Sequence, residues 1–249
     1  MTPIPGARVL VTGASSGIGR AVAVRCARAG GRVTLIGRDE ARLAQVADET
    51  GGTPIRADLS VPGEPARIAG AAGPVDVLVN NAGAGLAGEL DATEPSRAAA
   101  LVQTNFVSAL ELTRAVLPGM RERGRGHLVM VTSIAARVPV GGESVYGATK
   151  AALDQFAAAL RLDLSGTGIG VSTVVPGAVA TDFFNRRGRP YDRRTPRPIP
   201  PERVADAVLT AIERDLPEVI APRWLRLAIV ARAVTPRLFD RLSARFGGS

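Results

Sequence analysis

The chain repeats one unit along its length: a short apolar run, a turn, and a longer stretch with helical spacing. Arg8–Thr12, Arg32–Ile36, Thr53–Ala57, Val75–Asn80, His127–Thr132, Val171–Val175 and Glu218–Ala221 have the length and apolar content of buried strands. Gly17–Ala29, Glu40–Glu49, Gly63–Ala72, Pro95–Met120, Ser144–Leu164 and Pro201–Arg214 lie between them and read as helices. Parallel strands need a long crossover, and a helix is the usual one. The alternation therefore predicts an α/β fold: a doubly wound, Rossmann-type parallel sheet of seven strands with helices on both faces. A chain of 249 residues with 46% apolar content fits one such domain over residues 1–249. Two segments break the rhythm. Residues 182–200 are rich in Arg, Pro and Gly and read as a mobile loop, while residues 223–246 read as an appended, mostly helical tail.

Composition narrows the function. The single cysteine, Cys26, cannot close an internal disulfide, and with the single histidine, His127, it leaves no cluster for a zinc site. The N-terminus lacks a charged start followed by an apolar core, and no stretch reaches the ~18 apolar residues of a membrane span, so a soluble, cytoplasmic protein is expected. The net charge of +8 is uneven: residues 182–249 hold 14 basic and 8 acidic side chains, against 17 and 15 in residues 1–181. An anionic substrate, a membrane surface or plain solubility would each account for it. Nucleic acid is not expected, since no binding module accompanies the charge.

The first strand runs into Thr12-Gly13-Ala14-Ser15-Ser16-Gly17-Ile18-Gly19. Glycines there let backbone N–H groups approach a pyrophosphate, and the following helix N-terminus favours its charge. The spacing is G-x-x-x-G-x-G rather than the G-x-G-x-x-G dinucleotide fingerprint. At the end of the second strand an NAD site usually carries a carboxylate for the ribose 2′-hydroxyl, but here Gly37-Arg38-Asp39 stands. Arg38 can grip a 2′-phosphate, which favours NADP(H) over NAD(H); a solvated Arg38 is the alternative. Asp39 reads as the cap of the next helix.

Lys150 is the only lysine among 31 basic side chains, and it lies four residues after Tyr146. That spacing puts a phenol and an ammonium on one helix face. They are either a proton-transferring pair or a packed tyrosine beside a chance lysine.

In their order, Thr12-Gly13…Gly17-Ile18-Gly19, Asp58, Asn80-Asn81-Ala82-Gly83, Asn105, Ser133, Tyr146…Lys150 and Pro176-Gly177…Thr181 resemble the short-chain dehydrogenase/reductases in their compact form of about 250 residues. The resemblance is close over residues 8–181. It implies that Asp58, with Leu59 beside it, meets the adenine, that the backbone of Asn80, Ala82 and Gly83 lines the adenosine ribose, and that Pro176, Gly177 and Thr181 hold the nicotinamide. It implies that Asn105 holds a water relaying protons from Lys150, and that Lys150 holds the nicotinamide ribose. Many NADP-using relatives have a basic residue before the second glycine of the turn, where this chain has Ser16, so Arg38 is the main support for NADP(H).

The chemistry follows. Ser133, at the end of the fifth strand, can polarise a carbonyl, and Tyr146 can give or take the proton. A cation ~5 Å from the phenol at an effective dielectric of ~20 favours phenolate by about 3 kcal/mol, roughly two pKa units. The expected function is an NADP(H)-dependent oxidoreductase acting on an apolar ketone or alcohol, as a homodimer or homotetramer. A sugar epimerase of the same superfamily and a cofactor-sensing regulator without turnover are the competing readings.

Beyond Thr181, Phe183 and Phe184 suggest an apolar pocket wall or core packing. Arg186, Arg187, Arg189, Arg193, Arg194 and Arg197 either clamp a phosphate-bearing carrier or are solvated. In the tail, Trp224, Leu227, Val230, Leu238, Leu242 and Phe246 alternate with arginines such as Arg226, Arg237, Arg241 and Arg245. Such a helix packs on the body, on a second subunit, or on an anionic membrane.

Overall fold

The computed structural model describes residues 2–192 and 196–246, with side chains to Leu242 in the last helix. Arg193 and Arg194, and the side chains of Arg245 and Phe246, lie outside the described residues.

The chain folds as β1 (Arg8–Thr12), α1 (Gly17–Arg28), β2 (Arg32–Gly37), α2 (Glu40–Thr50), β3 (Thr53–Arg56), α3 (Glu64–Ala72) and β4 (Val77–Asn80). Then come α4 (Pro95–Val102), α5 (Ser108–Glu122), β5 (Gly126–Val131), α6 (Ser144–Asp163) and β6 (Ile169–Pro176). The rest is α7 (Phe183–Arg186), α8 (Pro201–Glu213), β7 (Glu218–Ala221), α9 (Leu225–Val234) and α10 (Pro236–Phe246). All seven strands pair in parallel in the order β3-β2-β1-β4-β5-β6-β7. The order reverses between β1 and β4, and in open α/β sheets ligands bind at the strand ends above that switch point.

Strand alternation divides the core into two layers. Val9 and Val11 of β1 point to one face with Val77, Val79, Val129 and Val131, where α1, α2 and α8 cover them. Leu10, Leu78, Leu128 and Met130 point to the other, beneath α3, α5 and α6. Both faces are dry, which is why the strands read as near-continuous apolar runs.

Three departures from the sequence reading matter. The helix expected over residues 95–120 is two helices joined by a π-helical turn at Gln103–Val107, closed by Ser108 N–H donating to the Gln103 carbonyl. The stretch expected to be a mobile loop contains the short α7, and its far end is stitched back by Ala180 N–H to the Ile199 carbonyl (2.8 Å) and Ile199 N–H to the Ala178 carbonyl (2.9 Å). The tail is helical as expected but breaks at Pro236, which cannot continue α9.

His127, the sole histidine, is a structural group at the opposite end of the sheet from the switch point. Its Nε2 lies 2.8 Å from Ser172 Oγ, and burial pushes its pKa down to about 4. The unfolded chain, titrating near 6.5, binds the proton that the fold excludes. Stability should therefore fall as pH drops from about 6.5 to about 4, by up to roughly 3 kcal/mol from this group. Urea titrations across that range check it: His127→Gln should flatten the slope, and an unchanged slope would remove His127 as its source.

Candidate active site

The switch point is tied together by one hydroxyl. Thr12 Oγ1, at the end of β1, accepts from Asn81 N–H (3.0 Å) and Ala82 N–H (2.9 Å) after β4. Asn81 Nδ2 answers by donating to the Thr12 carbonyl at 2.8 Å. The glycine turn sits against this joint. Gly13 has φ +68°, and a Cβ there would press on Ala82 Cα at 3.0 Å. A Cβ on Gly19 would overlap the Gly13 carbonyl, so Gly19 serves the close packing of α1 rather than the cleft wall. Gly17, with φ +54°, faces Thr181 Cγ2.

Above these loops lies a cleft of about 790 Å³. It runs from Arg38, Asp58 and Leu59 at one end, past Ser15, Ser16 and Ile18, to Ser133, Tyr146 and Lys150 at the other. Ala82, Gly83, Pro176, Gly177 and Thr181 also line it. Of the residues expected at the cofactor, Asn80 and Gly19 do not. Asn80 turns its side chain into the core, where Nδ2 meets Thr113 Oγ1 at 3.1 Å. Its neighbour Asn81 reaches the cleft instead.

At the Arg38 end, Asp39 caps α2 as its sequence position suggested, Oδ1 accepting from Arg42 N–H at 3.0 Å. The cap presents Arg42 on the cleft beside Arg38, a second guanidinium that the sequence reading missed. Arg38 lies 3.9 Å from Asp58 Oδ2, a loose exposed pair, while Asp58 Oδ1 accepts from Ser60 N–H (2.9 Å) and Ser60 Oγ (2.7 Å).

At the other end, Ser133 Oγ caps a 3₁₀ turn by accepting from Ala135 N–H (3.1 Å), and its hydroxyl lies beside the Tyr146 phenol and favours its ionised form. Tyr146 and Lys150 are both buried on α6, and Lys150 Nζ donates to the Val131 carbonyl at 3.0 Å. Here the sequence expectation needs correction. A Coulomb attraction alone predicted a phenol shifted down by two units, yet burial dominates and pushes Tyr146 up to about 12, with Ser133 opposing. Burial also lowers Lys150 to about 8, where the ammonium still holds its proton at neutral pH. Desolvation penalises each charged form, and the simple pair estimate omitted it.

Asn105 lies in the π-helical turn between α4 and α5. Its buried side chain is committed to protein groups: Oδ1 accepts from Ala84 N–H (2.8 Å), and Nδ2 donates to the Ala84 carbonyl (3.0 Å) and Thr149 Oγ1 (3.0 Å). Thr149 Oγ1 in turn donates to the Tyr146 carbonyl at 2.8 Å. Asn105 therefore braces α6 against the loop after β4. The π turn carries the extra residue that swings it inward, a device common at functional sites.

The Tyr146 end of the cleft has a wall that sequence reasoning only half saw. Phe183 stacks 5.4 Å from the Tyr146 ring, and Phe184 touches Phe183 and Tyr191 in turn. Behind them Arg187 donates to Glu143, and its guanidinium lies over Phe184 at 4.7 Å. Both side chains are about nine-tenths buried, at 9% and 11% exposure. Arg187, expected to clamp a phosphate-bearing carrier or to be solvated, instead turns inward, and nothing in the sequence marks Glu143 as its partner.

A family model described as short chain dehydrogenase matches residues 7–192. Ketoacyl reductase HetN of Nostoc sp. is 33% identical over 99% of this chain and 91% of its own. The NADP-dependent 3-hydroxy acid dehydrogenase YdfG of Salmonella typhi is 38% identical over 80% of this chain and 86% of its own. Among solved structures, a short-chain dehydrogenase from Sphingobium yanoikuyae in complex with NADPH superimposes with a TM-score of 0.82 at 32% identity, covering 94% of this chain and 96% of that one.

Proposed function

The chain belongs to the short-chain dehydrogenase/reductase family, and on that premise we propose that it is an NADP(H)-dependent oxidoreductase interconverting an apolar ketone and its alcohol through Tyr146. The observation that carries this reading is Tyr146 beside Ser133 on the buried wall of the cleft, with Lys150 one helical turn away.

The cleft suits a dinucleotide. Its volume of about 790 Å³ is in the range of cofactor sites. A Cβ on Gly13 would meet Ala82 Cα, and one on Gly83 would sit 3.2 Å from Lys150 Nζ, so the bare backbone is what keeps the floor open. Gly13, Ser15, Ser16, Gly17 and Ile18 would hold the pyrophosphate at the α1 N-terminus. Arg38, joined by Arg42, would take a 2′-phosphate, and Asp58 and Leu59 the adenine. Ala82 and Gly83 would line one ribose, and Pro176, Gly177 and Thr181 the nicotinamide. The names of YdfG and of the Sphingobium complex support the phosphorylated cofactor.

When bound, the nicotinamide gives up or accepts the hydride. The rest falls to the chain. Ser133 Oγ orients the carbonyl oxygen. Tyr146, protonated at neutral pH by its raised pKa, gives its phenolic proton to that oxygen in reduction and recovers one in oxidation. The Lys150 ammonium offsets the negative charge that the phenol then carries. Asn105 acts as a positioning residue for α6. The aromatic wall of Phe183, Phe184 and Tyr191 favours an apolar substrate.

NADPH oxidation with a panel of ketones tests the reading, and turnover of none would favour a binding-only regulator. The Arg38→Ala/Arg42→Ala variant should lose roughly 10- to 100-fold of its preference for NADPH over NADH, the worth of charge-assisted hydrogen bonds to one phosphate. The ratio of kcat/KM for the two cofactors reads it. An unchanged ratio would assign the 2′-phosphate elsewhere.

A further inference from the structure

The C-terminal tail carries apolar side chains on two opposite faces of one helix. On the inner face of α9, Leu225 is buried against Val175 and Ile220, with Ile229 packed beside it. That packing accounts for the attachment of the tail. On the outer face Leu227, Val230 and Val234 follow at spacings of three and four residues, so they line one stripe. Leu227 and Val234 are each 73% exposed, and Leu238 and Leu242 of α10 add two more exposed leucines. A soluble monomer rarely leaves such a stripe uncovered.

The charge around the stripe says what covers it. From 223 to 242 the chain has five arginines and one acid, Asp240. Asp240 is engaged by Arg232 at 3.0 Å. Arg226, Arg237 and Arg241 stand exposed on the same two helices as the stripe. Two copies of this tail laid face to face would oppose their arginines while burying their leucines. An anionic bilayer surface satisfies both sets at once: apolar side chains enter the acyl boundary and guanidinium groups meet the phosphates. Among the described residues no helix is long and apolar enough to cross a membrane, so the contact is peripheral.

We infer that the outer face of α9 and α10 is a seat for an anionic phospholipid surface. The inference is independent of the proposed reaction. A homodimer or homotetramer formed through other faces would be compatible with it.

The test is partitioning of the full chain onto vesicles of phosphatidylcholine containing about a third phosphatidylglycerol, compared with pure phosphatidylcholine. Binding is expected on the anionic vesicles alone and should be released at about 1 M salt, where the screening length shrinks to ~3 Å. The Arg226→Gln/Arg237→Gln/Arg241→Gln variant should partition roughly a hundredfold more weakly, at a few-fold per arginine. The Leu227→Glu/Val234→Glu variant should not bind, while both keep wild-type circular dichroism and NADPH affinity. Equal partitioning onto both vesicle types, or none, would overturn the inference. So would a dimer in light scattering that Leu227→Glu dissolves while vesicle binding is absent, since the occupant would then be a second copy. The wild-type vesicle comparison decides the matter even if a variant misfolds.

Discussion

Replacing Tyr146 with phenylalanine should lower kcat by about two to four orders of magnitude and leave NADPH affinity within a few-fold of wild type. The substitution removes one oxygen. It keeps the ring that packs 5.4 Å from Phe183, so the pocket wall should survive. The lost oxygen is the one that Ser133 contacts and that burial holds as a protonated phenol at neutral pH. Ketone reduction needs that proton at the moment the carbonyl oxygen gains charge. Steady-state kinetics beside a fluorescence titration of NADPH separates the two effects. Turnover within tenfold of wild type would move the proton to another donor.

Breaking the Glu143–Arg187 pair should be the most damaging change outside the reacting groups. Arg187 comes from the segment after α7 and Glu143 from the residue before α6, so the pair joins the segment of residues 182–200 to the helix that carries Tyr146. Removing one partner of a buried ion pair typically costs about 3–5 kcal/mol. Arg187→Met should therefore lower Tm by roughly 10 °C and raise the KM for ketones, because Phe183 and Phe184 lose their backing. Glu143→Gln in the same chain should recover part of the stability, since no carboxylate then faces an apolar group. Glu143→Gln alone should leave a less balanced guanidinium near Tyr146 and lower the KM of anionic ketones relative to neutral ones. Thermal melts across the double-mutant cycle read the coupling, and strictly additive losses would mean the two side chains act separately.

The strand and helix rhythm was legible because each element is long relative to its period and both sheet faces are dry. The Tyr146–Lys150 pair was legible because a helix converts four residues of spacing into one face. The π turn at Gln103–Val107 was not, since one inserted residue leaves the apolar pattern nearly intact on either side. The Glu143–Arg187 pair joins positions 44 residues apart, and in a loop with several arginines nothing local marks the one that turns inward. Arg42 was within reach, four residues after Arg38 and three after the capping Asp39. The direction of the Tyr146 shift escaped the sequence for a different reason: helical spacing conveys proximity but not burial, and burial is the largest influence on the phenol.

The most direct measurement uses NADPH carrying deuterium at the transferable position, the wild-type chain, and a panel of bulky apolar ketones. Mass spectrometry of the products should find one deuterium on the carbinol carbon of at least one alcohol. The Tyr146→Phe protein, binding the same cofactor, should yield almost none. Saturable NADPH binding with no labelled alcohol from any ketone would contradict the account and leave a nucleotide-binding protein without this chemistry.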